Sequence, residues 1–155
     1  TAIKDCLVEK PFVYIAKCLS IMGEAVLKEK IMKVLLSIRP QFVDQIFEGK
    51  KKFEYRRSIF KRTDIESVLV YASSPVQKIV GEIFFDKIIY DELGQLWDQT
   101  RDHSGISEKY FRTYFVGKEK GYAIAIRDYQ RFESPLNLQE KYGVTPPQSF
   151  MYIAQ

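Results

Sequence analysis

The chain has 155 residues, 46 % of them apolar and 14 % aromatic, and carries a net charge of +4, which suits one domain of ordinary size with a packed core. No stretch reaches the roughly 20 uninterrupted apolar residues of a membrane-spanning helix; the longest, Pro11–Leu27, is broken by Lys17 and Glu24. Two cysteines, Cys6 and Cys18, cannot form a disulfide framework for a domain this size, so a soluble protein of a reducing, cytoplasmic compartment is expected, without membrane association.

Pro11–Ile31 has helical spacing, with Ile15, Leu19, Met22 and Val26 on one face and Pro11 suited to a first turn. The chain opens at Thr1, and Met32-Lys33 before an apolar strand looks like a natural start. Residues 1–31 therefore read as an N-terminal helical extension or the tail of an upstream region, and residues 32–155 as the domain proper. The helix serves either to dock a partner or to pack on its own domain, the more usual case.

Val34–Ile38 is a short apolar strand closed by Arg39-Pro40. Pro40 biases Arg39 away from helix while suiting a helix's first turn. Phe42, Val43, Ile46 and Phe47 then share a helical face, with Gly49 as its C-terminal stop. Phe53–Arg57 reads as a strand, on which Lys52, Glu54 and Arg56 point one way and Phe53 and Tyr55 the other. Ser67–Ala72 is a strand stopped by Ser73-Ser74-Pro75. Lys78–Ile89 is another, whose Gly81 signals a bulge or a close backbone approach. Asp91–Gln99 is expected to be a helix with Leu93, Leu96 and Trp97 inward. After the loop His103–Ile106, Ser107 caps a helix running to Phe115 and ended by Gly117. Its aromatics, Tyr110, Phe111, Tyr114 and Phe115, read mostly as core. Gly121–Ile126 is a strand, Phe132–Asn137 an extended loop, and Phe150–Ile153 a last strand. About six strands with three or four short helices between them, and no regular βαβ alternation, indicate an α+β domain built on a small closed or nearly closed barrel.

The positive charge is local. Lys50–Arg62 holds seven Lys or Arg and one Glu, a charge of +6 in a chain of +4, so the remainder is slightly acidic. Phe53, Tyr55 and Phe60 interleave with these cations. Cations meet phosphates and rings stack on bases, so a polyanion reader fits this stretch; a solvated loop kept soluble by charge is the alternative. Arg57, Lys61 and Arg62 extend the basic patch.

With its motifs in order, the chain resembles the ASCH domain family of the PUA-like superfamily, from Met32 to about Ile153. The most specific element is the G-x-K-x-x-E-x-R pattern, met by Gly49, Lys51, Glu54 and Arg56. Supporting matches are Ser37-Ile38-Arg39-Pro40, Tyr71-Ala72-Ser73-Ser74-Pro75, Val80-Gly81-Glu82, Ser104-Gly105-Ile106-Ser107 and Pro146-Pro147-Gln148-Ser149-Phe150. The resemblance implies a PUA-like small β-barrel with short flanking helices and a cleft lined by the motif residues. It also implies RNA or a nucleotide-like ligand as partner, in roles linked to translation or transcription. Some members resemble small amidohydrolases of modified nucleosides, in which the motif lysine is catalytic. In those a Thr stands where this chain has Glu54, and their third catalytic carboxylate falls near His103-Ser104, where this chain has none.

The residues themselves allow two readings. Glu54 and Arg56, two apart on a strand, share a face: they form either a structural ion pair or, in a concave site, a carboxylate that reads a base edge and a guanidinium that grips a phosphate. Lys51 is a phosphate contact or, if desolvated, a nucleophile or base, though strand parity turns it away from Glu54 unless the turn after Gly49 bends it back. Arg39 and Arg57 add cations, and Ser73 and Ser74 add polar tips that serve equally as turn residues. Binding is expected ahead of catalysis, with a small hydrolase or ribonuclease using Lys51 and Glu54 as the alternative. The lone His103, the distant cysteines, and the lack of G-x-x-x-x-G-K-[ST] or G-x-G-x-x-G patterns give no expectation of a metal or cofactor.

Overall fold

The computed structural model describes residues 31–155. Apart from Ile31, the expected N-terminal extension lies outside the described residues. The described chain runs β1 (Met32–Ile38), α1 (Pro40–Phe47), β2 (Phe53–Arg56), β3 (Ser67–Ala72), β4 (Lys78–Glu92), α2 (Leu93–Thr100), a 3-10 turn (Arg101–His103), α3 (Glu108–Tyr114), β5 (Lys120–Leu136), α4 (Leu138–Tyr142) and β6 (Phe150–Ala154). No helix among the described residues is long and apolar enough to cross a membrane.

The six strands form one mixed sheet in the order β2-β5-β4-β3-β1-β6. β1 and β3 run parallel and every other pairing is antiparallel. Among the described residues β2 and β6 are its two edges and no ladder joins them, so the expected barrel is an open sheet. β1 and β3 are buried on both faces, which is why they read as unbroken apolar runs rather than as an alternation.

Three apolar clusters use the two faces. On one face Val34, Leu36, Val68, Val70, Ile83 and Ile124 pack with Val43 and Ile46 of α1 and with Phe60. On the other, Leu35, Leu69, Tyr71 and Ile153 pack under Leu138 of α4. Tyr55 and Ala123 lie beneath Leu96 and Trp97 of α2, Phe111 of α3 and Phe115 just after it. Deleting a ring such as Phe111, which has no exposed surface, costs about 3–5 kcal/mol in comparable cores.

Helix punctuation follows the sequence. Pro40 opens α1 and Gly49 follows it at φ +74°. Ser107 Oγ accepts from the Tyr110 amide at 3.1 Å to cap α3. Gly81 meets both expectations: the β3–β4 and β4–β5 registers shift beside it, and a side chain there would strike the Gln130 carbonyl and the Phe47 ring.

Two further readings are corrected. The expected loop Phe132–Asn137 is instead mostly strand, because β5 continues to Leu136 and pairs with β4 from Glu92↔Lys120 to Ile79↔Leu136. Its second half is mostly exposed, so it carries no apolar alternation, and its pairing partner alone makes it a strand. The short helix α4 went unread, although Asn137 caps it through the Glu140 amide at 2.9 Å and Gly143 ends it at φ +67°.

Candidate functional site

A cleft of about 290 Å³ opens where the end of β1, the start of α1, β2 and α3 meet. Lys51, Glu54, Tyr55 and Arg56 form one wall; Arg39, Phe42 and Ser37 a second; Ile106, Tyr110 and Tyr114 a third. Ser73 and Gln148 complete the rim. Glu54 is the one carboxylate among these residues.

Lys51 precedes β2, and the turn after Gly49 does bring it to the cleft that Glu54 faces. Its side chain is buried, 2 % exposed. Its Nζ donates to the Ser104 carbonyl at 2.5 Å and lies 5.3 Å from the centroid of the Phe42 ring and 4.9 Å from that of Tyr55. Burial pulls the ammonium below the usual lysine range, and the Glu54 charge opposes that pull. The ring faces and the carbonyl stabilise the charge that burial disfavours. Gly105, at φ +70°, permits this packing: a side chain there would collide with Gln45 Oε1 and come within 2.9 Å of the Lys51 Cβ.

Glu54 and Arg56 pair as their parity suggested, NH1 to Oε1 at 3.3 Å, with both side chains nearly buried. The guanidinium has further work. NH1 also donates to the Ser37 carbonyl at 3.3 Å, and NH2 donates to the carbonyl and hydroxyl oxygens of Ser149 at 3.0 and 2.8 Å. Protein groups thus occupy the donors that a bidentate phosphate grip needs. Arg56 holds Glu54 in place, and only Oε1 of Glu54 is engaged by a described residue. Arg39 is the exposed cation of the cleft, with NH1 donating to the Tyr110 hydroxyl at 3.4 Å.

Of the expected residues, the fold brings Arg39, Lys51, Glu54, Arg56 and Ser73 together. Ser74 is exposed beyond the rim. Arg57 lies outside the cleft, its NH1 donating to the Tyr114 and Val116 carbonyls at 2.8 Å each. His103 is exposed and contributes its carbonyl, which accepts from the Lys52 amide at 2.9 Å. The interleaved aromatics divide: Phe60 and Phe53 pack in cores, and only Tyr55 reaches the cleft.

Sequence reading missed Phe42, Tyr110, Tyr114 and Gln148 as lining residues. α3 explains the error over its aromatics. Phe111 and Phe115 face the core while Tyr110 and Tyr114, also four apart, face the cleft. The hydroxyl on each cleft-facing ring was the available signal. Among the described residues no group of three His, Cys, Asp or Glu side chains is placed to hold a metal ion.

The ASCH domain family model matches residues 36–135. The chain is 30 % identical over 125 residues to an ASCH domain-containing ribonuclease of Zymomonas mobilis subsp. mobilis, covering 78 % of this chain and 84 % of that protein. The crystal structure of ASCH from Zymomonas mobilis matches with a TM-score of 0.72 at 31 % identity, over 78 % of this chain and 87 % of the other. A large ribosomal subunit protein of Ureaplasma parvum serovar 3 is 26 % identical over 129 residues, a stretch spanning 81 % of this chain but 40 % of that protein.

Proposed function

The chain belongs to the ASCH domain family, and on that premise we propose that its cleft binds single-stranded RNA and cleaves it. The observation that carries this reading is the meeting of a desolvated Lys51, a carboxylate fixed by Arg56 and an exposed Arg39 in one aromatic-lined cleft. The name of the Zymomonas relative, a ribonuclease, points the same way.

RNA offers an internal nucleophile, the 2′-hydroxyl. In the proposed reaction Glu54 takes the 2′-OH proton as O2′ attacks the adjacent phosphorus, forming the P–O2′ bond. The P–O5′ bond breaks, and the leaving oxygen takes a proton from Lys51, whose lowered proton affinity suits it to donate. The products are a 2′,3′-cyclic phosphate and a free 5′-hydroxyl. Arg39 meets the non-bridging oxygens as negative charge builds. The phenol of Tyr110 and the ring of Phe42, edge-to-face at 5.4 Å, offer a surface for the neighbouring base.

The test is cleavage of an RNA oligonucleotide and of its 2′-O-methyl analogue. RNA alone is expected to be cut, with turnover falling at least 100-fold in Lys51→Ala and Glu54→Gln. Unchanged turnover in both variants overturns the assignment. A second reading, recognition without cleavage in a module serving translation or transcription, is favoured by the tether of Lys51 Nζ to the Ser104 carbonyl. Salt-sensitive RNA binding by the wild type without product supports it.

A further inference from the structure

We propose that single-stranded RNA seated in the cleft continues into a second groove beside it, where a base stacks on Tyr90 and the phosphates meet Lys118 and Lys120. This rests on the RNA reading above and extends it from one nucleotide to a strand. The second groove, about 640 Å³, lies against the β4–β5 ribbon and the turn before β5. Its cations are Arg57, Lys61, Lys118 and Lys120 against the single carboxylate of Glu119, a net charge of +3. The rest of the chain is close to neutral, so this concentration of positive charge is a local field aimed at a polyanion.

The aromatic element is equally specific. Tyr90 and Tyr122 are register partners on β4 and β5 and stack at 4.4 Å with 20° between their planes. Beyond that cross-strand contact, Tyr90 is 56 % exposed, and Lys120 Nζ lies 5.5 Å from its ring centroid. An exposed ring beside a cation is what a stacked base with its phosphate requires.

Two features join this groove to the cleft. Arg56 of β2 pairs with Tyr122, which pairs with Tyr90. Directly opposed residues share a sheet face, so Arg56, Tyr122 and Tyr90 form one row leading from the cleft wall to the groove. Arg57 lines the groove while its guanidinium holds the carbonyl of Tyr114, which lines the cleft. A strand leaving the cleft past Tyr114 therefore meets Arg57 next.

The experiment measures binding of three-nucleotide and twelve-nucleotide 2′-O-methyl oligouridylates, which resist cleavage, to the full chain at two salt concentrations. The longer strand should bind more tightly. Lys118→Ala with Lys120→Ala should remove about tenfold of that advantage and lower the salt slope by about 0.7 per lost phosphate contact. Tyr90→Ala should cost about tenfold by loss of stacking. The trimer should be unaffected by any of these. A length advantage that survives both variants, or no length advantage, overturns the groove. So does a polyglutamate peptide that competes as strongly as RNA, since that marks a general polyanion surface. If trimer binding also ignores Arg39→Ala, the cleft reading itself has failed and the groove falls with it.

Discussion

Arg56 and Ser149 link the two edge strands of the sheet that the described residues form. Arg56 ends β2, one edge strand, and Ser149 immediately precedes β6, the other. Both oxygens of Ser149 accept from the same guanidinium nitrogen. A side chain thus makes the connection that a hydrogen-bonded ladder makes in a closed barrel, and the same side chain holds the cleft's carboxylate.

Arg56→Ala is therefore expected to cost stability before function. It leaves Glu54 buried without its counter-charge, an error worth about 3–5 kcal/mol. Ser149→Ala, which removes one acceptor of two, should cost about 1 kcal/mol. Urea unfolding of both variants measures this; an Arg56→Ala protein as stable as wild type would show that the bridge contributes nothing.

Gly105→Ala should damage the site more than an ordinary glycine substitution does. Its positive φ and the collisions with Gln45 and Lys51 act together. Gly143 has a similar φ of +67° with open space around it, so Gly143→Ala isolates the backbone cost, about 1 kcal/mol. Thermal unfolding should rank Gly105→Ala clearly below Gly143→Ala, and RNA turnover should fall only in the former. Equal losses in the two would mean that the Lys51 packing is unimportant.

Lys51 and Tyr55 should pull stability in opposite directions at alkaline pH. Burial pushes the Tyr55 hydroxyl up to about 12, against the opposing effect of its 2.6 Å bond to Thr100. The unfolded chain then ionises this tyrosine first, so stability falls as pH rises from about 10 through about 12. Burial also pushes Tyr114 up, adding a slope of the same sign. Lys51 is shifted downward, so the folded state sheds its proton first and stability gains as pH approaches the ordinary lysine value, about 10.5. The urea midpoint of Tyr55→Phe should fall less steeply above pH 10 than that of wild type. Parallel curves would remove Tyr55 from this account.

Arg39→Ala should weaken RNA binding without unfolding the protein. The residue is exposed and its one side-chain hydrogen bond among the described residues is long, 3.4 Å, so stability should stay within about 0.5 kcal/mol of wild type. The dependence of log affinity on log salt should flatten by about 0.7, one phosphate contact. Fluorescence anisotropy with a labelled oligonucleotide at several salt concentrations measures both affinity and slope; an unchanged slope takes Arg39 out of the phosphate path.

Much of the fold was legible because local rules and tertiary packing agree. Pro40, Gly49, Ser107 and Gly117 mark helix ends, and the apolar runs of β1 and β3 mark strands buried on both sides. The second half of β5 was not legible, because its exposed polar residues are strand only by virtue of β4. The cleft was legible in its motif wall and not in the walls that α1 and α3 supply. Phe42, Tyr110 and Tyr114 enter the cleft through the angle at which α1 and α3 approach β2, and no spacing within either helix encodes that angle.

The sequence by itself determined the family, the order of most elements, and the presence of Lys51, Glu54 and Arg56 on one short segment. Only the tertiary structure decided what surrounds each of them. Lys51 is desolvated by rings from α1 and β2 and tethered to a loop 53 positions away. Arg56 is consumed by contacts to β1 and to the segment before β6, leaving Arg39 as the exposed cation. Charge and donor count are properties of a residue, but desolvation and satisfied hydrogen bonds depend on neighbours that only folding supplies.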